Sequence, residues 1–259
     1  MYTIRDYICP KTVKEAYEIL TKSKPNTILG GGHFLKLGKK KISKAIDLKD
    51  LGLNYINFDD DFVKIGATTT YGQIERNIKL QESFSNIFKK TIEQIVSTQL
   101  RNTAQIGASV YARFSFSDIL PVLSVLDAKV NLFNDGLIPI DEFIYKKRKK
   151  DILTEIIIPR KNQKAVYENI RSNKADFPII NLAMSKTGNN IKTTVGARPQ
   201  RALYLKEISK SLTEEGFRKE KIEELLKDVG FGKNYKADSD YRRSVCLYLI
   251  EKAYGEFND

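Results

Sequence analysis

The chain has 259 residues, 41% of them hydrophobic, enough for one large core or two modest ones, and chains of this length usually divide into domains. No run of eighteen apolar residues occurs, and the opening MYTIRDYICP carries Asp6 and lacks the charged head, apolar stretch and cleavage site of a signal peptide, so a cytoplasmic protein with no membrane segment is expected. The formal charge of +12 is interleaved with acidic residues, and its densest runs, Lys39-Lys40-Lys41 and Lys146-Lys147-Arg148-Lys149-Lys150, are short, which favours solvated surface or subunit docking over nucleic-acid binding.

The first segment reads as strand, helix, strand. Thr12 and Glu15 make a T-x-x-E capping box, and Val13, Ala16, Tyr17 and Leu20 follow at helical spacing. Thr27-Ile28-Leu29 is a short strand running into Gly30-Gly31-Gly32, and Lys44 to Leu48 is a second strand. Phe62 to Gly66 is strand-like. Tyr71, Ile74 and Ile78 suit one helix face, continued by Phe84, Ile87, Phe88, Ile92 and Ile95. After Gln99 to Ser109 comes a short helix from Asp118 to Leu126 with Pro121 in its first turn, where a missing N–H is harmless. Ala128 to Phe133 and Leu137 to Ile140 bracket Asn134-Asp135-Gly136, a hairpin turn.

The strand Thr154 to Ile158 stops at Pro159, and a second region begins near Lys161. Ala165 to Arg171, Ile179 to Ser185 and Ile191 to Val195 are three strands of an antiparallel meander, the last two joined by Gly188-Asn189-Asn190. Helices over Lys219 to Val229 and Asp240 to Tyr254 follow. The pattern is α+β. Cys9 and Cys246 stand far apart without C-x-x-C spacing, so no disulfide framework, zinc site or iron–sulfur site is read in this chain.

Three consecutive glycines after a strand let backbone N–H groups approach an anion with no Cβ in the way. Alone they also fit a plain tight turn. The dinucleotide fingerprint G-x-G-x-x-G is not met, because Leu35 stands where the third glycine belongs, and the G-K-[ST] ending of a P-loop is absent. The second segment, Gln99-Leu100-Arg101-Asn102-Thr103-Ala104-Gln105-Ile106-Gly107-Ala108-Ser109, adds specificity. With L-G-G-G-H-F-L before it and D-I-L-P-V-L-S-V-L-D-A-K-V after it, the chain resembles the FAD-binding medium subunit of molybdenum hydroxylases, the family of bacterial xanthine, carbon monoxide and nicotinate dehydrogenases. Leu153-Thr154-Glu155-Ile156-Ile157-Ile158-Pro159, Ala175-Asp176-Phe177-Pro178, Val195-Gly196-Ala197-Arg198-Pro199 and Tyr241-Arg242-Arg243 are similar to further landmarks of that family in the same order.

The resemblance implies an FAD-binding domain of the vanillyl-alcohol oxidase/PCMH type over residues 1–160, with α+β subdomains at about 1–52 and 53–160. Residues 161–259 are then a CO dehydrogenase flavoprotein C-terminal-like domain with a three-stranded antiparallel sheet and helices. It implies FAD as cofactor, its diphosphate between a first wall of Leu29, Gly30, Gly31, Gly32, His33, Phe34 and Leu35 and a second of Ala104, Gln105, Ile106, Gly107, Ala108 and Ser109. His33, the only histidine, is expected on the pyrophosphate side. Asp118 is either a helix cap or a hydrogen-bond partner of an FAD ribose or nearby group. Leu153 is either ordinary core or, like its family counterpart, a residue against the isoalloxazine, and Tyr167 is either core or a second group reaching that ring. The implied partners are a molybdopterin-binding large subunit and a [2Fe–2S] small subunit, with NAD or another electron acceptor.

Members of the family usually read G-G-N where this chain has Gly107-Ala108-Ser109, so a methyl stands at a position expected to approach phosphate closely. Tyr111, Ala112, Arg113, Phe114 and Ser115 replace the small residues and S-P that usually follow. The alternative reading is therefore a structural or docking subunit of the same complex with weak or no FAD binding.

Overall fold

The computed structural model describes residues 2–257. The chain opens with β1 (Thr3–Ile8), α1 (Val13–Lys22), β2 (Thr27–Leu29) and β3 (Lys41–Asp47), forming a parallel sheet in the order β1-β3-β2. Thr12 accepts the Glu15 amide, as the T-x-x-E spacing predicts, but the Glu15 carboxylate takes the Lys11 N–H at 2.8 Å instead of closing the box on Thr12. Ala16 and Leu20 of α1 pack on Ile46 and Leu48 in a small core. Behind this sheet the Lys150 ammonium donates to the carbonyls of Leu20, Ser23 and Asn26, where α1 ends.

A second unit follows: β4 (Ile56–Phe58), β5 (Phe62–Gly66), α2 (Tyr71–Arg76), α3 (Ile78–Ser83), α4 (Ile87–Ile92), α5 (Thr98–Arg101), α6 (Ile106–Ala112), α7 (Ile119–Val125), β6 (Lys129–Leu132), β7 (Gly136–Pro139), α8 (Ile140–Tyr145) and β8 (Leu153–Pro159). Its sheet runs β4-β5-β8-β6-β7, antiparallel throughout. The helix expected over Tyr71 to Ile78 breaks at Asn77, because its side chain turns to accept the Leu80 amide at 2.9 Å and so starts α3. The hairpin forms at Asn134-Asp135-Gly136, where Gly136 takes φ +71° and the Asp151 carboxylate accepts the amides of Asn134 and Asp135.

The third unit comprises β9 (Gln163–Ile170), β10 (Ile180–Thr187), β11 (Asn190–Gly196), β12 (Leu203–Tyr204), α9 (Lys206–Glu214), α10 (Lys219–Lys227) and α11 (Ser239–Gly255). The expected three-stranded meander gains a fourth strand, since β12 pairs with β11 through Leu203 and Tyr204. Ile180, Leu182, Met184 and Val195 of this sheet share a core with Ile222, Leu226, Cys246, Leu249 and Ile250 of α10 and α11. Cys246 is fully buried, whereas Cys9, just past β1, is only half-buried. No helix among the described residues is long and apolar enough to cross a membrane.

The third unit docks on the second through α7. Gly196 lies so close to Asn181 and Pro121 that a Cβ there would overlap both. The neighbouring Ala197 amide donates to Ser115 at 3.0 Å, and Asn181 donates to the Ser117 carbonyl at 3.1 Å. This contact fixes the stretch 114–117, which follows α6, at the edge of the cavity described next.

Candidate functional site

A cavity of about 390 Å³ lies where the turn after β2, the start and end of α6, and the β9–β10 connection converge. Its wall is mostly apolar, and its size falls within the range of small-molecule sites. From the first predicted wall it takes Gly30, Gly32, His33, Phe34 and Leu35; from the second, Ala104, Ala108 and Ser109; and Asp118 joins them. Leu29, Gly31, Gln105, Ile106, Gly107, Leu153 and Tyr167 do not line it.

Five of these absences have a physical reason in the fold itself: Gly31, Ile106, Gly107, Leu153 and Tyr167 are committed to packing. Gly31 has φ +82°, and a Cβ on it would overlap the Thr103 carbonyl, so this glycine lets two stretches of backbone pack together. Gly107 sits against Ala67, and the amides of Ile106 and Gly107 donate to Thr69 and Ala67 at 2.9 Å each. Glycine is thus needed here to seat α6 on the main sheet. The segment expected as a second glycine loop is two short helices, α5 and α6, joined at Asn102–Gln105. Leu153 is 4% exposed in the second unit's core, and Tyr167, 5% exposed, shares that core.

Gly32 behaves differently. It has φ +72°, it lines the cavity, and a Cβ on it would meet nothing within 4 Å. None of the amides from Gly31 to Leu35 donates to another group among the described residues. A turn of free N–H groups beside open space is an anion cradle. His33 Nε2 lies 2.8 Å from Thr103 Oγ1, whose hydrogen is within reach of the Gln99 and Leu100 carbonyls, so the imidazole serves as donor and ties the turn to α5. Burial, and then the nearby Lys36 ammonium, hold the His33 pKa below its ordinary value, so the ring is neutral near pH 7. The donor set suits a diphosphate, with Lys36 supplying positive charge at the same wall.

The methyl of Ala108 does not obstruct this cradle. It packs on the Cα of Gly30, filling the space where a Gly30 side chain would stand, so glycine and alanine face each other across the two walls. Ser109 donates to Gln105 within α6.

Asp118 begins α7 without capping it. Its carboxylate is 8% exposed and instead accepts from Tyr167, Arg171 and Asn181. Burial pushes the Asp118 carboxyl up, while the Arg171 guanidinium and the Tyr167 and Asn181 bonds pull the other way. This buried pair closes the cavity at the third unit; all three donors converge on Oδ1, so Oδ2 keeps its acceptor capacity at the cavity wall. Arg171 itself is further held by Asn169 and the Asp176 carbonyl.

Sequence reasoning missed Lys36, Tyr71, Phe116, Arg171 and Phe177 as lining residues. The F-S-F run at 114–116 and the D-F-P run at 176–178 were visible signals, but nothing in the sequence brings residues some sixty positions apart to one wall.

Residues 2–161 match the family described as the FAD binding domain in molybdopterin dehydrogenase. The chain is 22% identical over 258 residues to YgfM of Escherichia coli strain K12, covering 98% of this chain and 96% of that one. It is 29% identical over 173 residues to the nicotinate dehydrogenase FAD-subunit of Eubacterium barkeri, covering 60% and 58%. Among solved structures, carbon monoxide dehydrogenase from Hydrogenophaga pseudoflava superposes with TM-score 0.87 at 21% identity, covering 96% of each chain. Quinoline 2-oxidoreductase from Pseudomonas putida 86 gives 0.84 at 15% identity, covering 97% of each.

Proposed function

We propose, from the premise that this chain belongs to the family of FAD binding domains of molybdopterin dehydrogenases, that it is the flavin-carrying electron-transfer subunit of a molybdenum hydroxylase. The chain is an FAD-binding oxidoreductase subunit of that family. The finer reading is that it works beside a molybdopterin-binding large subunit, where substrate is hydroxylated, and a [2Fe–2S] small subunit. Bound FAD supplies the chemistry that couples one-electron centres to NAD or another acceptor.

The observation that carries this reading is the turn Gly31 to Leu35, whose free amides border open space at Gly32. These amides and Lys36 would hold the diphosphate, with His33 keeping the turn braced on Thr103. Ala104, Ala108 and Ser109 would form the facing wall; the Ile106 and Gly107 amides are spent on Thr69 and Ala67, while the Gln105 and Ala108 amides donate to no group among the described residues. The apolar lining excludes water from the rings, and the Asp118–Arg171 pair closes the far side. None of these groups is placed to act as a general acid or base. Division at residues 160/161, and at about 52/53 within the first part, belongs to the same reading; one core draws only on residues from Val166 onward, while Ala165, Tyr167, Ala183 and Ala202 pack into the second unit's core, and Leu53 and Ile152 into the first's. A cytoplasmic complex belongs to the same reading and is supported by two cysteines that remain free.

The test is Gly32→Ala. Its methyl enters the cradle and meets no protein atom, so the protein stays folded at a cost of about 1 kcal/mol for the left-handed backbone. Wild-type protein is expected to hold FAD, read by absorbance at about 450 nm, and the variant to lose it. A wild-type protein that takes up no FAD would instead support the structural-subunit alternative, and a variant with full flavin content would remove the turn from the binding site.

A further inference from the structure

Phe34, Phe114, Phe116 and Phe177 all line the cavity, and none belongs to the three hydrophobic cores. Large rings normally enter a core; here Phe34 is left 44% exposed and Phe177 39% exposed. Their arrangement is ordered. Phe34 and Phe177 face each other at 26° with centroids 6.3 Å apart. Phe116 touches both, at 5.5 Å and 4.1 Å, and Phe114 backs Phe34 at 4.4 Å while stacking on Phe116 at 5.0 Å and 10°.

A planar ring held between two others needs about 7 Å between the outer pair, twice an aromatic carbon contact of about 3.5 Å. The Phe34–Phe177 separation is therefore less than about 1 Å short of a sandwich. The two jaws sit on turns braced at their backbones, one by His33 on Thr103 and one by Arg171 and Lys236 on the carbonyls of Asp176 and Phe177, so the small opening falls to the partly exposed rings themselves. The floor is fixed, because Ser115 and Ser117 on either side of Phe116 are bonded to Ala197 and Asn181 of the third unit. Phe34 is also two residues from Gly32, so the slot adjoins the anion cradle.

We propose that Phe34 and Phe177, with Phe116 as floor, form a stacking slot for one planar heteroaromatic ring of the bound dinucleotide. The inference rests on the flavin reading above. Isoalloxazine and adenine share the required chemistry, and the two are separated by the ligands used in the test.

The experiment measures FAD, FMN and ADP binding to the full chain and to its Phe177→Ala, Phe177→Leu and Phe177→Trp variants, with thermal melting of the ligand-free proteins. Stacking predicts FAD binding about tenfold weaker in both the alanine and leucine variants, equivalent to about 1.4 kcal/mol, and restored in the tryptophan variant. A parallel loss for FMN with ADP unchanged assigns the slot to isoalloxazine, and the reverse assigns it to adenine; either supports the proposal. The chain contains no tryptophan, so quenching of flavin emission on introducing Phe177→Trp reports ring contact directly. FAD affinity within about twofold of wild type in Phe177→Ala, or full restoration by leucine, overturns the slot, leaving the four rings as glue between units. Failure of the wild-type chain to bind any FAD refutes the flavin reading itself and takes the slot with it.

Discussion

Moving one methyl group across the cleft is the sharpest test of how its walls fit. A Cβ built on Gly30 overlaps the Ala108 methyl at well under 3.0 Å but lies 3.4 Å from the Ala108 Cα, an ordinary contact distance. Gly30 is not in the left-handed region, so its backbone accepts alanine, and the penalty of Gly30→Ala is steric. Overpacking of that kind costs about 2 kcal/mol, and the parted walls weaken FAD about tenfold. Ala108→Gly alone gives up a half-buried methyl, at most about 0.8 kcal/mol, and places glycine in α6, about 1 kcal/mol more. Together the two substitutions carry the methyl to the opposite wall and leave only the helix cost, about 1 kcal/mol. The double variant is then more stable than Gly30→Ala, with a coupling of about 3 kcal/mol, far above the scatter of independent sites. Urea denaturation of the four proteins measures the coupling and flavin titration follows the cleft. Additive losses, or FAD binding improved by Ala108→Gly alone, would refute the packing and restore the view that this methyl crowds the phosphate.

Lys192 donates to Asp127 and Asp141 at 2.8 Å and 2.7 Å, joining β11 to the second unit. Burial alone would lower the Lys192 pKa and raise that of Asp127, but the ion pairs outweigh it, leaving Lys192 above and Asp127 below their ordinary values. The lowered carboxyl stabilises above about pH 4 and fades as pH falls through its folded pKa; the raised ammonium stabilises below about pH 10 and fades as pH rises through its own. Lys192→Met should therefore lose about 1 kcal/mol across that plateau, a low figure because Asp127 is 42% exposed, and converge on wild type toward acid; a difference independent of pH would disprove the linkage. Arg242, fully buried in α11, donates to the carbonyls of Ile179 and Ala197 and to Asn234. Arg242→Met is expected to cost about 3 kcal/mol by stranding those acceptors, measured by denaturation, and a loss under about 0.5 kcal/mol would show that they find other partners.

Local signals carried much of this architecture. The Thr12 cap, the Asn134-Asp135-Gly136 turn and the Gly188-Asn189-Asn190 turn between β10 and β11 each fix their neighbours within a few residues. What escaped was decided at longer range. Helices α5 and α6 are four and seven residues long, too short for a periodic signal, and α6 forms because its first amides find Thr69 and Ala67 on another segment. Helix α9, at Lys206–Glu214, buries Ile208 and Leu212 yet carries enough lysine and serine to read as a connection. In the site, Gly32 and His33 were legible because a glycine run has few purposes. The packing role of Gly31 and Gly107 was not legible, since only the facing backbone shows what a Cβ would strike. Asp118 lines the cavity, and its partner Arg171 follows only after four intervening strands, β6 to β9, so the buried ion pair had no trace in the local sequence.

The two thiols differ in chemical availability, and this makes the folded protein its own clock. Cys9 is partly open to solvent, while Cys246 is sealed in α11 with its pKa pushed up by burial to about 12, so almost none of it is reactive thiolate at neutral pH. A maleimide added to native protein should attach once, at Cys9. The arrival of a second adduct then times the opening of the C-terminal core, a rate obtained by mass spectrometry without any change to the chain.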